Sequence, residues 1–319
     1  MRLASLLVLF CACAQAQVSE TLKALDDAAW QLKFQGLATI DKFTYTGQAQ
    51  AREKNVTAQG AGNPMILYGY IFVPKNLDRS RPAPLVVFVH EGVHSNFMTA
   101  GRANCAAVVR ELVARGYSVV APEYRGSTGY GQDYSQAIDY GGREVDDVLA
   151  ARDWALSTYS FLDAKHVGII GWSHGGFITL MNILQHPEGF RCAYAGVPVS
   201  DLVARMGYKN DSYRRIFSEM LGKDADADVK EYEKRSPYRY ASSLKTPLLI
   251  HGNSNDEDVN VLEVRHLIAE LQASGAGGSF ESKIYDDAPG GHYFNRLDTA
   301  LARESRQQIY LFLDRYLKN

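Results

Sequence analysis

The chain has little that would tie it to a metal, a nucleic acid or a lipid bilayer. Only four of its 319 residues are cysteines. Cys11 and Cys13 lie at the extreme N-terminus, and Cys105 and Cys192 stand far apart with no C-x-x-C pair, so neither a thiolate metal site nor a dithiol redox motif is implied. Lys and Arg (34) nearly balance Asp and Glu (36), with no basic block, which argues against nucleic acid as a partner. Low-complexity linkers and internal repeats are missing as well. Outside buried-strand candidates, the one sustained apolar run is Leu3 to Ala12, too short to serve as a mature membrane span.

That run follows Met1-Arg2 and precedes Ala14-Gln15-Ala16, the layout of a secretory signal peptide cleaved after Ala16. A secreted or periplasmic protein is therefore expected. Phe10-Cys11-Ala12 is a poor approach to lipid attachment at Cys13. Cleavage would leave Cys105 on a helical face and Cys192 at the start of a buried strand, which reads as two buried free thiols.

Residues 17–59 read as an N-terminal extension, with a helix near Ser19 whose apolar stripe is Leu22, Leu25, Ala29 and Leu32, then a strand-like stretch from Lys42 to Gln59. From residue 60 to 319 strand and helix patterns alternate. Leu85-Val86-Val87-Phe88-Val89 is apolar at every position, as in a sheet covered on both faces. Cys105, Val108, Val109, Leu112 and Val113 form one helical stripe, and Ile309, Phe312, Leu313 and Tyr316 form another. Such alternation predicts a mostly parallel, doubly wound α/β sheet. Residues 201–244, rich in tyrosine and arginine, interrupt it and read as a small helical cap over the strand ends, where ligands bind in such sheets.

Gly171-Trp172-Ser173-His174-Gly175-Gly176 follows the apolar run His166 to Ile170 and leads into Phe177-Ile178-Thr179-Leu180-Met181. Strand, tight turn and helix with serine at the bend make the G-x-S-x-G nucleophile elbow of the α/β-hydrolase fold. A serine hydroxyl needs a base, and the base needs an orienting acid. Both follow in the order that fold uses. Asp256, Glu257 and Asp258 lie in the loop after strand Leu248–Ile250, and His292 lies in the glycine-rich loop Ala288 to Phe294. His292 is the base candidate, Asp256 the preferred acid and Asp258 the fallback. The oxyanion would be held by the amides of His174 and Gly92, the latter in the loop His90-Glu91-Gly92-Val93-His94. Glu91, His94, Tyr124, Arg125 and Asp258 are candidates to line the pocket. The constellation points to acyl transfer to water through an acyl-serine, with no cofactor.

Pro122-Glu123-Tyr124-Arg125-Gly126-Ser127-Thr128-Gly129-Tyr130-Gly131, the elbow, His251-Gly252 with Asp256 three residues before Val259, and His292 together resemble the prolyl oligopeptidase family of serine peptidases. The resemblance covers the α/β-hydrolase catalytic domain, roughly Gly60 onward, and implies Ser173, Asp256 and His292 as the triad. The N-terminal extension is too short for the β-propeller usual in that family. His174 replaces the usual tyrosine, and the Gly92 loop also resembles that of dienelactone-hydrolase-type esterases. Some family peptidases carry Arg or Asn at position 258 to donate to a substrate carbonyl. An ionised Asp258 cannot, and would instead attract a cation. A short-peptide hydrolase is the expectation, with a carboxylesterase for small or carbohydrate-linked esters as the alternative and a non-catalytic binding protein as the third reading.

Overall fold

The computed structural model describes residues 20–52, 56–275 and 280–318. The expected signal-peptide segment, with Cys11 and Cys13, and Ser19 lie outside them. Among the described residues eight strands form one sheet: β1 (Ala38–Gly47), β2 (Met65–Pro74), β3 (Ala83–Val89), β4 (Ser118–Glu123), β5 (Leu162–Trp172), β6 (Cys192–Gly196), β7 (Leu248–Asn253) and β8 (Phe280–Tyr285). Their order is β1-β2-β4-β3-β5-β6-β7-β8. β1 and β2 pair antiparallel, as do β2 and β4, and every later pair is parallel.

Successive strand side chains point to opposite faces, and β3 divides accordingly. Leu85, Val87 and Val89 pack beneath α4 (Arg143–Thr158), α5 (His174–Gln185) and α9 (Val261–Ala273). Val86 and Phe88 pack with α2 (Cys105–Ala114), α10 (Ala300–Leu317) and the helix over residues 20–34, here α1. Two apolar layers on one sheet explain why its central strands contain no polar alternation. Cys105 and Cys192 are free and buried, as expected.

The N-terminal extension departs from its expected form. In α1 the inward face is Lys23, Trp30 and Phe34, while Leu22, Leu25 and Leu32 are 61%, 63% and 73% exposed. The aromatic pair wins because it meets aromatics already on β2: Trp30 and Phe34 lie 5.2 and 5.4 Å from Phe72, ring centre to ring centre. The strand begins earlier than expected and stops at Gly47. Beyond it the carbonyls of Gln48 and Ala49 accept from the buried Arg125 guanidinium (2.9 and 3.1 Å) rather than from a neighbouring strand.

Residues 201–244 form α6 (Leu202–Tyr208), α7 (Asp211–Leu221), α8 (Val229–Lys234) and a 3-10 turn at Pro237–Ser243. Asp201, Asn210 and Asp228 cap the three helices with side-chain oxygens on first-turn amides. A further short helix, α3 (Gln132–Gln136), lies in the glycine- and tyrosine-rich segment between β4 and α4. Among the described residues no helix is long and apolar enough to cross a membrane.

Candidate active site

The bend between β5 and α5 is set by sterics. A Cβ on Gly171 would lie 2.2 Å from the Gly175 carbonyl oxygen, and one on Gly175 would lie 2.4 Å from that of Val89. Only glycine permits such an approach. Ser173 itself adopts φ 56° and ψ −120°, a conformation costly for a residue with a side chain. Its amide donates to the Gly196 carbonyl at 2.9 Å, which ties the bend to β6. Because α5 begins at His174, the amide of that residue is among the first-turn N–H groups without an intrahelical acceptor.

His292 sits on a 3-10 turn (Gly291–Tyr293) after β8, and Asp256 on the loop after β7. The structure brings them together: His292 Nδ1 is 2.9 and 2.7 Å from Asp256 Oδ1 and Oδ2. Oδ1 also accepts the amides of Asp258 and Val259, both at 2.8 Å, so the carboxylate has a single orientation. His292 and Asp256 side chains are 8% and 1% exposed, which keeps the pair largely dry.

Three polar residues that sequence reasoning passed over hold the histidine turn. Asn253, at the end of β7, donates to the carbonyls of Ala288 and Gly291 (3.1 and 2.9 Å) and accepts the Ala288 amide (3.1 Å). Asn295 accepts from Trp172 Nε1 at 3.0 Å, linking the turn to the residue before Ser173. Arg296 donates to the His292 carbonyl (3.1 Å) and ion-pairs with Glu91 (2.6 Å), with its guanidinium over the Trp172 and Tyr293 rings. The only signal in the chain was position: polar side chains at the end of an otherwise apolar strand, and directly after a candidate base.

The loop after β3 is held from both sides. Tyr124 donates to the Gly92 carbonyl (2.9 Å) and stacks on His90. Glu123, fully buried, accepts the Phe97 amide (3.1 Å) and pairs with Lys23 of α1 (2.9 Å). Lys23 in turn donates to the Phe97 carbonyl at 2.6 Å. Burial pushes the Glu123 carboxyl above its ordinary range, against the opposing pull of Lys23. Burial drives His90 down to about 3, so its ring is neutral and bonded to Ser127 (2.8 Å).

Two expected pocket residues are structural instead. Tyr124 and Arg125 have no exposed surface. Arg125 makes a two-pronged contact with buried Asp147, Nε to Oδ2 and Nη2 to Oδ1 both at 2.7 Å, and so fastens the strand end to α4. Glu91 is engaged by Arg296 rather than free. His94 lines a cavity of about 360 Å³ with Arg52, Ile138, Ile216 and Met220, and none of Ser173, Asp256 and His292 is among its lining residues. The His174 ring is buried among Tyr124, Tyr140 and Phe177, and burial lowers its pKa well below the ordinary histidine value. Asp258 is half-exposed beside the base: Oδ2 is 3.9 Å from His292 Nε2, while Oδ1 takes Lys209 (2.8 Å) and Arg205 (3.2 Å) from α6 and its end.

Residues 105–319 match the sequence family described as "Prolyl oligopeptidase family". The chain belongs to this family of serine peptidases. Among curated relatives of this family member, an uncharacterized peptidase of Bacillus subtilis (YuxL) is 31% identical over 66% of this chain and 32% of its own length. Dipeptidyl aminopeptidase BIII of Pseudoxanthomonas mexicana is 27% identical over 80% of this chain and 41% of its own. The human acylamino-acid-releasing enzyme is 34% identical over 55% and 24% respectively. The chain thus spans well under half the length of these relatives. In three dimensions it matches Pyrococcus horikoshii acylaminoacyl peptidase with a TM-score of 0.72 at 21% identity, over 90% of this chain and 43% of that one. A puromycin-hydrolyzing peptidase of Mycobacterium tuberculosis matches at 0.69 and 24%, over 86% and 39%. At those identities the likeness shows the shared α/β-hydrolase fold.

Proposed function

We propose that this member of the prolyl oligopeptidase family hydrolyses an amide bond of short peptides through an acyl-Ser173 intermediate. The observation that carries the reading is the His292–Asp256 contact on loops that follow the adjacent strands β7 and β8, in a sheet whose β5 ends at a strained serine bend. His292 Nε2 takes the Ser173 proton as Oγ attacks the carbonyl carbon. The tetrahedral oxyanion is met by the amides of His174 and Gly92, and loss of one such donor raises the barrier by about 3 kcal/mol. As the intermediate collapses, the imidazolium returns the proton to the leaving amine, and water repeats the cycle on the ester. Asp256 keeps the proton on Nδ1 and stabilises the imidazolium. These side chains supply nucleophile, base and electrostatics, so the proposed step uses no cofactor.

Position 258 favours a second reading, a carboxylesterase, because Asp258 offers no donor for a peptide carbonyl. Rates on aminoacyl anilides beside short-chain aryl esters, with Ser173→Ala as control, separate the two. Anilide turnover that vanishes in the variant supports the peptidase. Ester turnover alone supports the esterase. Export rests on the Met1–Ala16 pattern, and N-terminal sequencing of protein from the culture fluid or periplasm tests it, with Gln17 as the expected first residue.

A further inference from the structure

From the charges around His292 we infer that the substrate's free α-ammonium group docks on Asp258, so that the protein releases single N-terminal residues and discriminates against N-acylated ones. The inference rests on the serine peptidase reading above and narrows its substrate class.

The two oxygens of Asp258 have different surroundings. Oδ1 is taken by Lys209 Nζ and Arg205 Nη2. Oδ2 faces the base, 3.9 Å from His292 Nε2. Backbone bonds hold the residue there, since its amide donates to Asp256 Oδ1 and its carbonyl accepts from Arg205 Nη1 at 3.2 Å. Burial pushes the Asp258 carboxyl up, but the Lys209 hydrogen bond and the Arg205 charge outweigh it, and the group stays ionised.

The neighbouring cations are already engaged. Arg205 gives Nε to Tyr213 (2.7 Å) and Nη1 to Tyr208 (2.9 Å) and Glu263 (3.1 Å), and Lys209 gives Nζ to Asp258. A substrate carboxylate would have to displace one of these bonds. Both cations, Arg205 and Lys209, bond Asp258 at Oδ1, which leaves Oδ2 facing the base to accept from an incoming cation.

Reach selects which cation. The α-nitrogen lies roughly 2.5 Å from the carbonyl carbon it flanks, and His292 Nε2 must come within about 3 Å of the atoms exchanging protons at that carbon. A carboxylate oxygen beside Nε2 is therefore within hydrogen-bond reach of an α-ammonium. Acylation replaces three charged donors with one neutral N–H and adds a carbonyl oxygen whose lone pairs face the carboxylate. This is the opposite preference from that named by the acylamino-acid-releasing relatives.

The test compares kcat/KM for leucine p-nitroanilide, N-acetyl-leucine p-nitroanilide, and the N-acetyl-lysine and N-acetyl-norleucine anilides, in wild type, Asp258→Asn and Lys209→Met. Wild type should favour the free amine over its acetyl derivative by about tenfold or more, the size of one charge-assisted hydrogen bond. Asp258→Asn should bring that ratio near unity, and Lys209→Met, which removes one of the two cations on the carboxylate, should raise it. A wild-type preference for the acetylated anilide, or a ratio that neither variant moves, overturns the inference. So does a gain confined to N-acetyl-lysine over N-acetyl-norleucine, which would assign Asp258 to a side-chain cation. A preference for the acetylated anilide, in a protein whose Ser173 reacts with a fluorophosphonate, defeats only the α-ammonium assignment. No hydrolysis and no labelling defeats the peptidase reading with it.

Discussion

Replacing Asp256 by asparagine should abolish turnover while barely touching the fold, and the atoms show why. Asp256 Oδ1 accepts the amides of Asp258 and Val259 at 2.8 Å each. An asparagine must keep its carbonyl oxygen in that position, because an NH2 group there would face two donors. Its NH2 then occupies the place of Oδ2, 2.7 Å from His292 Nδ1 in the native protein. A donor at that point makes Nδ1 the acceptor and moves the ring proton to Nε2. An Nε2–H cannot take the Ser173 proton. The same tautomer inversion in the serine protease triad lowers kcat by about 10⁴, equal to about 5.4 kcal/mol of barrier. Steady-state hydrolysis of an aminoacyl anilide would measure it, with thermal unfolding as the control for folding. Asp258→Asn leaves the tautomer alone and should cost far less on the same substrate. An Asp256→Asn enzyme retaining more than about one per cent of kcat would refute this reasoning. Equal losses from both variants would refute it too.

Other outcomes follow from the same contacts. Lys23→Met strands the buried Glu123 carboxylate and should destabilise the protein by about 3–5 kcal/mol in urea titration, with Glu123→Gln in the same chain recovering part of the loss. Ser173→Gly should be inactive yet more stable than Ser173→Ala by about 1 kcal/mol, because glycine accepts φ 56° without strain. Gly171→Ala should lower the yield of folded protein, since its Cβ meets the Gly175 backbone. Glu144, buried at the start of α4, is pushed up to about 8, chiefly by burial. A carboxyl whose folded pKa exceeds its unfolded value stabilises fully below the unfolded value and loses that contribution as pH climbs through the folded one. Stability from this group should therefore fall between about pH 4.5 and pH 8. Glu144→Gln should flatten that segment of a stability–pH curve.

The parts legible in the chain were those with local signals. Continuous apolar strands between helical stripes are enough to give a doubly covered sheet. The elbow glycines, the acids after Ile250 and the histidine among glycines each announce themselves within a few residues. What stayed hidden depends on partners far away in sequence. Asn295 reaches Trp172 across 123 positions, and neither residue marks the other. Arg125 looked like a pocket residue because arginine seldom lacks exposure; its burial is stabilised by Asp147 and by two carbonyls at the end of β1. In α1 a leucine stripe and an aromatic stripe lie on different faces, and periodicity alone does not choose between them. The choice was made by Phe72 and Tyr70 on β2 and by Glu123 waiting for Lys23. Asp258 was visible as an unusual residue, but its bonding to the cap could not be seen until α6 was placed over it.

The central claim is that Ser173, activated by His292, carries the acyl group. Rapid acid quench of the enzyme with an activated aryl ester, followed by mass analysis of the peptide holding residue 173, measures it directly. One acyl group per chain on Ser173, formed in a burst and absent from His292→Ala, is the predicted result. Turnover with no adduct on that serine, or an adduct that forms as fast without the histidine, would contradict it.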